Sequence, residues 1–92
     1  IEPITLRKSE DWACLIKSAQ AIGNNSIAVN EPNYVRLEYV SKIMRFVDDL
    51  ELQQENNLAH IRSASRLGYS DWGVNRKRVE QLQQNFSASC GK

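Results

Sequence analysis

Histidine occurs once, at His60, and cysteine only twice, at Cys14 and Cys90, among 92 residues. The cysteines form no CxxC and have no histidine near them in sequence, so they cannot build a zinc site alone. A disulfide between them would need the C-terminal tail to fold back, and the expectation is two free thiols. No apolar run is long enough to span a bilayer. No export signal is visible, and the opening at Ile1 without methionine is read as trimming or processing. Neither sign of charge predominates: twelve basic side chains stand against eleven acidic ones, a net +1. A nucleic-acid or membrane-surface binder carries a one-signed patch, so those partners are not expected. Repeats, linkers and a composition break are also missing, which leaves one domain over 1–92. A chain this short buries about 60–65% of its unfolded surface, so its core is thin.

What is present reads as alternating periodicities. Residues 1–8 are an extended lead-in, because Pro3 disfavours helix. Ser9 is the expected N-cap of a first helix, with Glu10 and Asp11 where the dipole favours anions. Trp12, Leu15, Ile16, Ala19 and Ile22 share a helical face, and Gly23 is the expected C-cap glycine. A short strand follows at Ile27-Ala28-Val29, then a turn at 30–33. Tyr34 to Val40 alternate as a second strand, and Ser41-Lys42 is read as a two-residue loop into a third. Asn56-Asn57 is the next tight turn, and Leu58 to Leu67 the fourth strand. A last helix is expected from Asp71 to Asn85, with Trp72, Asn75, Val79, Leu82 and Phe86 on one side. Residues 87–92 read as a flexible polar tail.

The two loops predict a register. Leu52 should face Ile61, Leu50 face Ser63, and Asp48 face Ser65. Across the other hairpin, Leu37 should face Phe46 and Val35 face Asp48. Asp48 then falls on the apolar face and Asp49 on the charged one. The fold class that results is α+β: a two-layer sandwich, a four-stranded antiparallel meander with two helices on one face, in the order α-β-β-β-β-α.

The densest chemistry lies in Arg45-Phe46-Val47-Asp48-Asp49 and in the run from Arg62 to Arg78. These stretches, RFVDD and RSASRxGxSDxGVNRKR, closely resemble the domain-of-unknown-function family DUF1499. The resemblance spans about Glu2 to the end of the second helix. It implies a cysteine-containing segment upstream, behind an export signal or lipid anchor. It also implies a location in the periplasm, in a lipid-anchored envelope or in the thylakoid lumen. It implies no reaction.

Each constellation has two readings. Arg45, Arg62 and Arg66, with Asp49 and the helix start at Ser70 and Asp71, could form a pocket for a carboxylate or phosphate, with Arg76 and Arg78 at its corner. The favoured alternative pairs these arginines with Glu38, Glu51 and Asp49 across the sheet. Asp48 on the apolar face could be a catalytic acid. A structural tie, to Ser65, to Asn75 or to backbone amides, is the favoured role. His60 near a hairpin tip reads as solvated, and no metal site is expected. Ser63 and Ser65 have no adjacent base. Gly73 is read as a close-packing position in the first turn of the last helix.

The function expected is a small non-enzymatic binding or interaction module of the cell envelope that contacts an anion or a protein. The alternative is an enzyme acting on an anionic substrate through Asp48 or Asp49 with Arg45, Arg62 and Arg66. No cofactor is implied, and the oligomeric state stays open.

Overall fold

A computed structural model describes residues 2–40, 46–66 and 73–90. The elements run β1 (Ile4–Thr5), α1 (Asp11–Gln20), β2 (Asn25–Glu31), β3 (Tyr34–Val40), β4 (Val47–Glu55), β5 (Leu58–Ser65) and α2 (Val74–Ser89). One antiparallel sheet has the order β1-β5-β4-β3-β2. The expected meander is thus present as β2 to β5. The lead-in adds a fifth, two-residue strand, Ile4 and Thr5 pairing with Ala59 and Leu58.

Side-chain alternation sorts the sheet into two faces. Val35, Leu37, Tyr39, Leu50, Leu52, Ala59 and Ile61 point inward and are buried. They form one core with Leu15 and Ala19 of α1 and with Val79, Leu82 and Phe86 of α2. Trp12, Ile16 and Ile22 pack against its margin, as their helical spacing predicts.

The β4–β5 register is the predicted one. Leu52 faces Ile61, Leu50 faces Ser63 and Asp48 faces Ser65. Asn56 and Asn57 adopt positive φ, 50° and 65°, so the strands are joined by a two-residue turn that asparagine tolerates. The β3–β4 register differs from the prediction. Leu37 faces Leu50 instead of Phe46, and Tyr39 rather than Val35 faces Asp48. The pairing is slid by four residues because β3 ends at Val40 and β4 begins only at Val47, a longer connection than Ser41-Lys42. Four is even, so each side chain keeps its predicted face. Phe46 loses its expected inward seat: it precedes β4 and is 37% exposed.

The helix ends correct the sequence reading in several places. Ser9 does not cap α1; its hydroxyl donates to Glu10 Oε2. The turn before the helix instead folds the amides of Arg7 and Lys8 onto Asp11 Oδ2, at 2.8 and 3.1 Å, and Asp11 is buried. Gly23, at φ 59°, lies beyond the cap residue Ala21, and Asn25 Nδ2 donates to the carbonyls of Gln20, Ile22 and Gly23. The strand expected at 27–29 extends over Asn25–Glu31, with an irregularity between Ile27 and Val29, and turns at Pro32-Asn33.

α2 begins later and ends later than predicted. Residues 87–89 belong to the helix, and Cys90 follows as its cap, donating its amide to Phe86 O. The reason is covalent. Cys14 and Cys90 form a disulfide, against the expectation of free thiols, with Cα atoms 6.1 Å apart. The predicted tail is thereby held against α1. Asn85 Nδ2 also donates to Ser18 O across the same seam, at 3.2 Å.

Candidate functional site

The candidate residues divide between two faces of the sheet. On the outer face, β3, β4 and the end of β5 bring Arg36, Glu38, Asp49 and Arg66 together. Arg66 grips Asp49 with two parallel bonds, Nε to Oδ2 and Nη2 to Oδ1, both 2.9 Å. Its Nη2 also lies 2.6 Å from Glu38 Oε2. Arg36 Nη1 bridges the same two carboxylates at 3.2 and 3.0 Å. Two cations and two anions therefore alternate in a closed network. The bidentate geometry gives it directional rigidity that a single surface pair lacks.

A second set lies beside it. Glu51 faces Arg62 across the ladder, as predicted, and accepts from Arg62 Nη1 at 2.8 Å. Its other oxygen accepts from Tyr34 Oη at 2.7 Å. The hydrogen bond from Arg66 holds the Asp49 carboxyl below the usual carboxylate range, with Arg36 adding to it. The Tyr34 hydroxyl, then Arg62, does the same for Glu51. The Glu51 carboxylate in turn raises the Tyr34 phenol. Arg62 is 75% exposed at its side chain, so it borders the array on the solvent side. His60 is exposed, paired across the strands with Gln53.

The inner face carries a separate polar cluster. Asp48 points inward, as its parity requires. Its partner is neither Ser65 nor Asn75 but Arg78, whose Nη2 lies 3.1 Å from Asp48 Oδ2. Both side chains are mostly buried, 14% and 11% exposed. Arg78 Nη1 donates to Asn75 Oδ1 at 2.8 Å and to Ser63 Oγ at 3.3 Å, and Ser63 Oγ also donates to Asn75 Oδ1. The guanidinium covers the Tyr39 ring, 4.5 Å from its centroid. Tyr39 Oη donates to Ala19 O at 2.5 Å, and burial pushes its phenol up to about 12. This cluster joins β3, β4, β5 and α2, and through Tyr39 it reaches α1.

Measured against the sequence expectations, Asp49, Arg62 and Arg66 do share one face. Arg78 leaves the expected anion corner and turns inward. Arg76 is 87% exposed on α2 and pairs with Glu80 at 3.4 Å. Ser65 faces Asp48 in the ladder. Arg45, Ser70 and Asp71 lie outside the described residues. The sequence reading missed Arg36 as the second cation of the network. Its signal was legible, since Arg36 and Glu38 share the outer face at a spacing of two. Among the described residues no group of His, Cys, Asp and Glu could hold a metal, and no helix is long and apolar enough to cross a membrane.

No curated protein and no solved structure matches the chain. The family model described as protein of unknown function (DUF1499) matches residues 1–86, and the chain belongs to that family.

Proposed function

We propose that the domain is a non-enzymatic interaction module of the cell envelope, and that its charged outer sheet face contacts a protein. The observation that carries this reading is the closed Arg36–Glu38–Asp49–Arg66 network. Each arginine there is already held by carboxylates, so a free anion must compete with two of them. A protein surface needs no vacant cation. It reads a rigid pattern of alternating charge, which sets register and excludes mismatched partners. Asp48, held by an Arg78 whose guanidinium covers the Tyr39 ring, serves the fold in this reading and not a reaction. The envelope location is supported by the Cys14–Cys90 disulfide, because such bonds persist in oxidising compartments and are rare in the cytosol.

Site-specific photo-crosslinking in the native host tests the reading. A crosslinker at Ala64, on the outer face opposite Asp49, should capture a discrete protein. The same group at Lys77, exposed on α2, should not. Equal capture from both positions, or none from Ala64, would overturn it.

A further inference from the structure

The outer sheet face carries its charges at two depths. Arg62 and Arg66 are 75% and 42% exposed at their side chains, while Asp49, Glu51 and Glu38 are 22%, 28% and 29% exposed. The carboxylates lie lower, and these two guanidiniums stand toward solvent. Their bonding leaves donors on that side. Arg62 meets Glu51 Oε2 through Nη1, and its Nε and Nη2 take no bond among the described residues. Those are the same two nitrogens with which Arg66 grips Asp49. Arg62 thus holds out an unoccupied fork of the shape that receives a carboxylate through two parallel bonds. Arg66 commits Nε and Nη2 to Asp49 and Glu38, and its Nη1 takes no bond among the described residues. A guanidinium donates at each nitrogen and accepts at none. Asp49 and Glu51, by contrast, are engaged at both oxygens.

The strand sets the spacing of the two arginines. Arg66 follows β5 directly, its amide continuing the ladder to Val47 O. At the rise of a β-strand its Cα is about 13 Å from that of Arg62. Ala64 lies between them on the same face, and its methyl leaves the space between the guanidiniums low. Beside Arg62 is a hollow of about 250 Å³, lined also by Tyr34, Glu51, Gln53 and His60. The Gln53 amide and the His60 ring add N–H donors to its wall.

We propose that the protein bound by this face presents an acidic segment, one carboxylate of which enters the hollow and fills the Arg62 fork while another meets Arg66. The proposal rests on the reading that the outer face contacts a protein, and adds the chemistry of that partner. A lone small anion gains an exposed arginine only, which holds it weakly. A segment with carboxylates about 13 Å apart engages both arginines, and the first contact brings the second to high effective concentration.

Two experiments test it. Heptaglutamate added to the purified chain should shift the Arg62 Nε–H signal in NMR spectra, and heptalysine should leave it in place. An equal response to both peptides, or none to heptaglutamate, would overturn the proposal. In the second experiment the crosslinker at Ala64 is combined with substitutions at Arg62, and the captured segment is sequenced by mass spectrometry. That segment should contain Asp or Glu. Arg62→Gln should lower capture about tenfold, and Arg62→Lys, which keeps the charge but not the fork, about threefold. Undiminished capture by Arg62→Gln, or a captured segment without a carboxylate, would overturn the acidic partner and leave the interaction face standing. No capture from Ala64 in the otherwise unaltered protein would overturn both.

Discussion

Arg78 Nη2 lies 3.1 Å from Asp48 Oδ2, and this ion pair ties α2 to β4 beneath the sheet while Asp49, one residue on, faces solvent with Arg66. Adjacent carboxylates thus have opposite surroundings because strand side chains alternate.

Asp48→Ala should therefore destabilise the fold more than Asp49→Ala. Removing Asp48 leaves a mostly buried guanidinium without its counter-charge, at a cost of about 1–3 kcal/mol. Asp49 belongs to a more exposed network whose remaining members re-pair, at a cost of about 0–1 kcal/mol. Urea melts with equal losses, or the reverse order, would show that Asp48 is not the internal tie.

Gly73 precedes α2 at φ 81°, and a Cβ built there meets nothing within 4 Å. The expected close-packing role is therefore wrong, and backbone geometry takes its place. Gly73→Ala should cost about 1–2 kcal/mol from the left-handed conformation. Gly73→Asn should cost less, because asparagine tolerates that region. Thermal melts ranking alanine above glycine, or level with asparagine, would contradict this.

Asp49 and Glu51 titrate lower in the folded chain than in the unfolded one, since hydrogen bonds hold their charged forms. Their contribution is present above about pH 4 and is lost as pH falls below it. Tyr39 has the opposite sign. Its phenol is raised to about 12, so its contribution is present below about pH 10 and is lost as pH rises toward that value. Melts from pH 9 to 12 should fall more steeply for the unaltered chain than for Tyr39→Phe. Parallel curves would remove Tyr39 from the alkaline response.

Reducing the Cys14–Cys90 disulfide frees a chain segment with a sequence separation of 76. The loss should be about 2–4 kcal/mol, chiefly through the wider freedom of the unfolded chain. Hydrogen exchange should rise first over 86–90, where Cys90 closes α2. A reduced protein with an unchanged melting temperature would show that the core alone holds that helix in place.

Much of this architecture was legible because periodicity and turn chemistry agree. The Asn56-Asn57 turn gave the β4–β5 register, and parity alone put Asp48 inside and Asp49 outside. The β3–β4 register was missed because Ser41-Lys42 looked like a complete turn, and nothing local reveals that a connection is longer. Cys90 was missed because a Ser/Gly-rich ending resembles a tail, while the bond that orders it depends on a residue 76 positions away. Arg78 was placed outside because a long basic side chain reads as solvent-facing, although it lies one turn from both Asn75 and Leu82 of the buried stripe, and because its partner is on β4.

The central claim is that the outer face is read as a pattern of charge. Exchanging Glu51 and Arg62, as Glu51→Arg with Arg62→Glu, keeps the cross-strand pair and inverts the pattern. The measurement is the yield of partner captured from a crosslinker at Ala64, beside the melting temperature of the same protein. The account predicts loss of capture from a protein that still melts cooperatively, its melting temperature lowered by the lost Tyr34–Glu51 bond and the repulsion at Arg36; full capture by the exchanged protein would contradict it.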